Sequence, residues 1–272
     1  MNLPKHYNDI KKFEKVMFLY DSALKEVKTK IEILNNEFKI ANKYNPIEHV
    51  TSRIKSPQSI AKKLRHNEKE FTIENIVEHI NDIAGIRIIC SFRSDIFNIA
   101  EAISKQNDVN VLKIKDYVTN PKDNGYSSYH MIVSVPIYLT DAVIETKVEI
   151  QIRTIAMDYW ASLEHKIYYK FEGNAPIHIS KELKECADII SLLDEKMLSI
   201  NNKAMNYNVI EEISSEEDNL NQKVNNLISK EIESDNTNIK SDVKKSKYKN
   251  KKKSNNETKD RNLLSFFKLN TN

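Results

Sequence analysis

The sequence predicts an α+β fold: a mixed β-sheet of about five strands flanked by helices, long helices N- and C-terminal to it, and a disordered C-terminal tail. Three observations predict it. Apolar residues recur at helical spacing across residues 13–38, change to strand-like runs between 83 and 154, and then return to helical spacing. Only 3 glycines and 6 prolines punctuate 272 residues, which favours long helices over many hairpins. From about Tyr207 the chain is rich in Asn, Ser and Lys, with too little apolar surface to offset the entropy of ordering. Residues 1–206 therefore read as one domain with flanking helices, and 207–272 as a charged, disordered tail.

Phe13, Met17, Tyr20, Leu24, Val27, Ile31, Leu34 and Phe38 alternate spacings of four and three, a heptad seam on one long helix that Asn45-Pro46 terminates. Ile83–Phe92 is a dense apolar run, read as a central strand. Ser94–Lys105 has helical spacing, with an N-cap at Ser94 or Asp95. Val109–Val118, Ser128–Tyr138 and Thr146–Thr154 read as three further strands, and Ile155–Phe171 as a helix ended by Gly173. A second seam runs through Leu183, Cys186, Ile190, Leu193, Met197 and Ile200. Two such seams predict packing on the sheet, on each other, or between subunits.

The formal charge of +3 is too small to establish nucleic-acid binding by itself. The run Lys244–Lys253 reads as a solvated tail that could touch RNA, and Leu263, Leu264, Phe266, Phe267 and Leu269 as a terminal apolar patch. Cys90 and Cys186 lie in apolar contexts without metal-ligand spacing and read as small core residues. No apolar run reaches about 18 residues, and Met1–His6 lacks a signal core, so the expectation is a cytoplasmic protein without a membrane span.

Four constellations carry chemistry. Arg53, Lys55, Ser59 and Lys63 fall at a helix start, where free N–H groups and the macrodipole already favour anions. Asp82-Ile83-Ala84-Gly85-Ile86-Arg87 places a carboxylate before the apolar strand, a glycine where a ligand can approach, and a cation that is costly to bury alone. An Arg87–Asp82 ion pair is the structural alternative. Asn124-Gly125 predicts a tight turn presenting Tyr126 for stacking on a base, beside Lys113, Lys115, Lys122 and His130. The strand Lys147–Thr154 sets Lys147, Glu149, Gln151 and Arg153 in one polar row, with Asp158, Trp160, Glu164 and His165 on the helix after it. Trp160 reads as core.

Asp82 and Glu149 are the carboxylates best placed at strand ends to share Mg²⁺. The bland alternative for the row is an amphipathic sheet with a solvated face. The sequence has no P-loop, GxGxxG or GxSxG motif. Cations around a carboxylate pair then point to a nucleotide-polyphosphate enzyme lacking a P-loop.

The motifs Asn45-Pro46-Ile47-Glu48, Arg53-x-Lys55, Asp82–Arg87, Gly125-Tyr126-x-Ser128-Tyr129-His130 and Glu149–Thr154, in this order, resemble the synthetase domain of the RelA/SpoT family. The likeness is to its stand-alone small alarmone synthetases of the RelQ type, over about residues 8–203. It implies a nucleotidyltransferase-like synthetase fold and a GTP pyrophosphokinase of the stringent response. That enzyme moves the β,γ-pyrophosphate of ATP to the 3′-OH of GDP or GTP and releases AMP. Arg53, Lys55, Ser59, Lys63 and Arg87 would bind ATP; Asp82 and Glu149 would be catalytic and hold Mg²⁺. Lys115, Lys122, Tyr126, His130, Gln151, Arg153, Asp158 and His165 would surround the guanine nucleotide.

The chain departs from its relatives at several positions. Asp158 stands where they have an Asn that reads guanine, and Ser127 where they often have Arg, which leaves the choice among GMP, GDP and GTP open. In the tetrameric relatives an alarmone activates from a central cleft. Lys28 matches one basic position there, but Glu32 and His49 replace a lysine and a phenylalanine, so weakened activation is expected. No His-Asp dipeptide occurs, and little chain precedes the motifs, so synthesis without hydrolysis is expected. A homotetramer is the expected assembly. The alternatives are an RNA-binding regulator with a degenerate site, or a nucleotidyltransferase that moves AMP.

Overall fold

The computed structural model describes residues 7–41, 45–171 and 175–249. Its elements are α1 (Tyr7–Ala41), β1 (Ile47–Ile54), α2 (Pro57–His66), α3 (Ile73–His79), β2 (Ala84–Cys90) and α4 (Arg93–Ser104). They continue with β3 (Asn110–Asp116), β4 (Tyr129–Tyr138), β5 (Val143–Thr154), α5 (Ile155–Lys170) and α6 (Ile177–Lys249). The five strands form one sheet in the order β1-β2-β5-β4-β3. Only β2 and β5 run parallel; the other neighbours are antiparallel. The mixed sheet is the one the sequence predicts.

Strand alternation explains how this sheet has a dry face and a wet one. Ile86, Ile88 and Cys90 of β2, Val148, Ile150 and Ile152 of β5, and Met131, Val133 and Val135 of β4 share the buried core. The α1 seam covers it: Tyr20, Leu24, Val27 and Ile31 are buried, with Phe13, Met17, Leu34 and Phe38 packed at the margin. The first seam therefore closes the sheet. Each such buried aliphatic side chain contributes about 1.5–3 kcal/mol of transfer free energy. Ile96, Ile99 and Ile103 of α4 join the same core.

Two elements escaped the sequence reading. β1 is an edge strand with only Ile47 fully buried and a bulge between Ile47 and His49, so it shows no clean alternation. α3 has seven residues, too few for a repeating apolar period, although its cap can be read: Thr72 accepts from the Asn75 N–H at 3.2 Å. The cap of α4 is also shifted. Phe92 is its N-cap, and the Asp95 carboxylate accepts from the Phe92 N–H at 3.0 Å from inside the first turn. β5 begins at Val143, three residues before the expected Thr146, because a tight hairpin (Leu139 N–H to Ala142 C=O, 2.7 Å) extends its pairing with β4.

On α6 the inward stripe is Leu183, Ala187, Ile190 and Asp194, whereas Cys186, Leu193, Met197 and Ile200 are exposed. The second seam is thus offset from the expected one, and Cys186 is not a core residue; Cys90 is. Two contacts set the offset. The small Ala187 packs with Trp160 and Ala161, where a larger side chain would push the helix away. Thr154 caps α5, accepting from the Met157 N–H (3.1 Å), and donates to the Asp194 carboxylate (2.6 Å), which fastens α6 to the start of α5.

The chain divides into two units, Met1–Ala204 and Met205–Asn272. Within the second, α6 runs to Lys249, since nothing between Pro176 and there is glycine or proline; irregular chain was expected for that stretch. Gly173, residues 250–253 of the basic run, and the apolar patch 263–269 lie outside the described residues. No helix among the described residues is long and apolar enough to cross a membrane.

Candidate active site

The wet face of the sheet carries the site. In the β2–β5 register Glu149 lies opposite Gly85, and Gln151 opposite Arg87. Across β4, Gln151 faces His130, and across β1, Gly85 faces Arg53. Two cavities open along this face. One, of about 270 Å³, is lined by Thr51, Ser52, Arg53, Asp82, Gly85, Arg87, Glu149 and Gln151. The other, of about 420 Å³, is lined by Arg53, Arg87, Tyr126, Gln151, Arg153, Ser162, Glu164, His165 and Lys166. Arg53, Arg87 and Gln151 belong to both, so the cavities are contiguous.

At the first cavity Asp82 accepts from Lys55 Nζ (2.7 Å) on one oxygen and Lys63 Nζ (2.8 Å) on the other. Burial pushes this carboxyl up, but the hydrogen bonds and charges of the two lysines outweigh it and hold the group below its usual range. It is an anion at neutral pH. Gln151 Nε2 donates to Glu149 Oε2 (2.8 Å), fixing the second carboxylate. A Cβ on Gly85 would meet Arg53 at an ordinary 3.9 Å, so the space that glycine leaves belongs to the cavity.

The second cavity is built differently. Arg153, only 5% exposed, donates to Ser128 Oγ (3.2 Å), Gln151 Oε1 (2.9 Å), the Tyr126 hydroxyl (2.5 Å) and Asp158 Oδ1 (3.2 Å). The Tyr126 hydroxyl also meets His130 Nε2 at 2.9 Å. Burial first, then the charges of Arg153, Lys115 and Lys122, push the His130 pKa down to about 3. His130 is therefore neutral, and its 3.7 Å approach to Glu149 is a polar contact, not an ion pair. Lys122 Nζ sits 4.9 Å from the Tyr117 ring centre and 5.1 Å from that of Tyr126.

The turn presenting Tyr126 is tight, as expected. Gly125 N–H donates to the Lys122 carbonyl (2.8 Å), and Gly125 adopts φ +88°. A Cβ there would also lie 2.4 Å from that of Ala187. Tyr126 is not an open platform, however. It is half-buried, its hydroxyl is bound, and Lys122 and Arg153 both lie about 5.1 Å from its ring centre.

Of the residues singled out in the sequence, Arg53, Asp82, Gly85, Arg87, Tyr126, Glu149, Gln151, Arg153, Glu164 and His165 line the two cavities. Lys55 and Lys63 reach them through Asp82; Lys115 stands beside His130 across the β3–β4 ladder. Ser59 lies at the α2 N-terminus, with its hydroxyl accepting from the cap residue Ser56 at 2.9 Å. Lys147 leaves the row, donating to Asn81 and the Glu78 carbonyl. Arg87 pairs with Asp158 (3.2 Å), not with Asp82. The sequence reading missed Thr51, Ser52, Ser162 and Lys166 as polar lining residues; the first two lie on the unrecognised β1. Trp160 is core, donating to the Leu183 carbonyl at 2.8 Å.

Cations and two carboxylates on one sheet face, over paired cavities and without a P-loop, make a site suited to phosphate-bearing ligands. Similarity to known proteins specifies the family. Residues 52–174, which span every lining residue but Thr51, match the family described as "Region found in RelA / SpoT proteins". The chain is 48% identical over 199 residues to the GTP pyrophosphokinase YwaC of Bacillus subtilis, covering 72% of this chain and 95% of that protein. It is 36% identical over 192 residues to the GTP pyrophosphokinase YjbM of the same organism, covering 71% and 90%. The crystal structure of small alarmone synthetase 2 from Bacillus subtilis superposes with a TM-score of 0.64 at 47% identity, covering 70% of this chain and 98% of that one. Small alarmone synthetase 1 of that organism, bound to its product pppGpp, superposes with a TM-score of 0.66 at 35% identity, covering 71% and 98%. The chain belongs to the RelA/SpoT family.

Proposed function

We propose that this chain is a GTP pyrophosphokinase that makes (p)ppGpp-type alarmones from ATP and a guanine nucleotide. One observation carries the reading: two contiguous cavities share Arg53, Arg87 and Gln151, with both candidate carboxylates at one end and the Tyr126–Arg153 network at the other. Family membership supports it. The acceptor 3′-oxygen attacks the β-phosphorus of ATP, the bond from that phosphorus to the α-phosphate bridging oxygen breaks, and AMP leaves. Glu149, held by Gln151, takes the 3′-OH proton. Arg53, Arg87, Lys55 and Lys63 neutralise phosphate charge, which with positioning is most of what such transfers require. Tyr126 and Asp158 recognise the guanine, and His130 and His165 border the acceptor.

Asp82 and Glu149 line one cavity with hard oxygen donors, a set that suits Mg²⁺ held by two carboxylates and substrate phosphates. Among the described residues no cluster of three or more His, Cys, Asp and Glu is poised for a metal. Mg²⁺ bound there would supply charge neutralisation at the transferred group.

Exposed apolar residues on α1 (Ile10, Phe18, Ile33, Ile40) and α6 (Ile189, Leu193, Met197, Ile200) support self-association, read as a homotetramer and measurable as mass in solution. The basic stretch Lys244–Lys253 would add salt-dependent RNA contact. The deciding assay incubates the protein with labelled ATP, Mg²⁺ and GMP, GDP or GTP in turn. AMP release with a longer guanosine product is expected; free pyrophosphate with an adenylated product would overturn the reading.

A further inference from the structure

One carboxylate oxygen meets two arginines that line the cavities. Asp158 Oδ1 lies 3.2 Å from Arg87 Nη1 and 3.2 Å from Arg153 Nη1. The two arginines are held very unequally. Arg153 has further partners in Ser128, Tyr126 and Gln151. The one ion pair of Arg87 among the described residues is with Asp158, and its buried Nε has no hydrogen-bond partner. Arg87 also lines both cavities, whereas Arg153 lines only the second.

Resting on the pyrophosphokinase reading, we propose that Asp158 couples the two substrate sites, restraining Arg87 while the acceptor site is empty and releasing it when the acceptor base binds. Guanine offers paired N–H donors that take both oxygens of a carboxylate, and at Oδ1 two guanidinium groups already stand in the way, Arg153 through a hydrogen bond and Arg87 through an ion pair. A base that takes both oxygens must displace one of them from Oδ1, and the less anchored, Arg87, yields. Its guanidinium then turns to the ATP site, where its unpartnered Nε and its charge meet an anion. ATP acts in the opposite direction with the same factor: by drawing Arg87 away it frees Asp158 Oδ1 for the base. The carboxylate charge is essential, because a neutral carboxamide would hold Arg87 far more weakly in the empty enzyme.

Calorimetric titration with α,β-methylene-ATP, which carries carbon in place of the oxygen whose bond would break, tests this in the full chain with Mg²⁺. Adding saturating GDP is expected to tighten analogue binding at least about fivefold, the lower end of ordinary allosteric coupling. The same analogue should tighten GDP binding by that factor. In Asp158→Asn the factor should fall to about one, with the analogue binding more tightly than to the unaltered chain when GDP is absent. Arg87→Gln, which spares the Asp158–Arg153 pair, should lose the factor too. Equal affinities with and without GDP in the unaltered chain, or undiminished coupling in the variants, would overturn the coupling alone. Failure of the unaltered chain to bind either nucleotide would overturn the pyrophosphokinase reading with it.

Discussion

The two ends of the cleft hold charge in opposite ways. At the Asp82 end, one carboxylate is gripped by two long, flexible lysines, and the arginines Arg53 and Arg87 line open space. At the Tyr126 end, a buried arginine is locked by four side chains before any ligand arrives. A lysine ammonium is a mobile point charge, whereas a guanidinium fork is fixed once its donors are satisfied. The first end is therefore suited to receiving a polyphosphate and cation that bring their own charge. The second is ordered in advance, which under the proposed function suits a planar base. In such a site, catalysis should fail from the first end and affinity or stability from the second.

The sharpest break of that contrast is Glu149→Gln or Asp82→Asn. Either should lower kcat on the order of 10²–10³-fold, as loss of one transition-state charge partner does. Acceptor KM should change little, and circular dichroism should show the fold intact. A variant with near-normal kcat would dissolve the distinction between the ends.

Arg153→Met comes next. It strips partners from Ser128, Gln151, Tyr126 and Asp158 at a buried site and should cost on the order of 3 kcal/mol in urea unfolding. An unchanged unfolding midpoint would mean that the network does not contribute to the fold.

Tyr126→Ala should raise the KM for the guanine nucleotide about tenfold, the scale of one lost base stack, with ATP KM nearly unchanged. An effect confined to ATP would relocate the base.

The last comparison concerns pH. His130 is neutral in the fold, with a pKa near 3, and takes up a proton in the unfolded chain near 6.5. Its contribution is complete above pH 6.5. It is lost as pH falls from there toward 3, by about 1.4 kcal/mol per pH unit. His130→Gln should therefore melt with a shallower pH dependence between 6.5 and 4.5 than the unaltered chain. Parallel curves would show His130 to be solvated.

Local periodicity determines much of this molecule. The α1 seam, the core strands β2, β4 and β5, and the polar row Glu149-Gln151-Arg153 follow from periods of two to four residues, which strand pleat and helix pitch impose on any chain. Asp82 is legible as an acid just before an apolar strand beside clustered cations, and Glu149 as part of the polar row. Glu149 stands mid-β5, however, and not at the strand end the sequence suggested, because pairing with β4 extends β5 back to Val143. β1 and α3 are not legible, since an edge strand with one buried residue and a helix of seven carry no repeating period.

Pairings lie beyond sequence altogether. Lys55 meets Asp82 across 27 residues, and Arg153 reaches Tyr126 across another 27. Which cation meets which acid depends on strand order and register, which only the packed sheet decides, and the Asp158 partner of Arg87 is one case. The α6 offset that exposes Cys186 is another: both stripes are apolar enough to bury. The choice falls to the fit of Ala187 against Trp160 and the hydrogen bond from Thr154 to Asp194, contacts that exist only when distant segments meet.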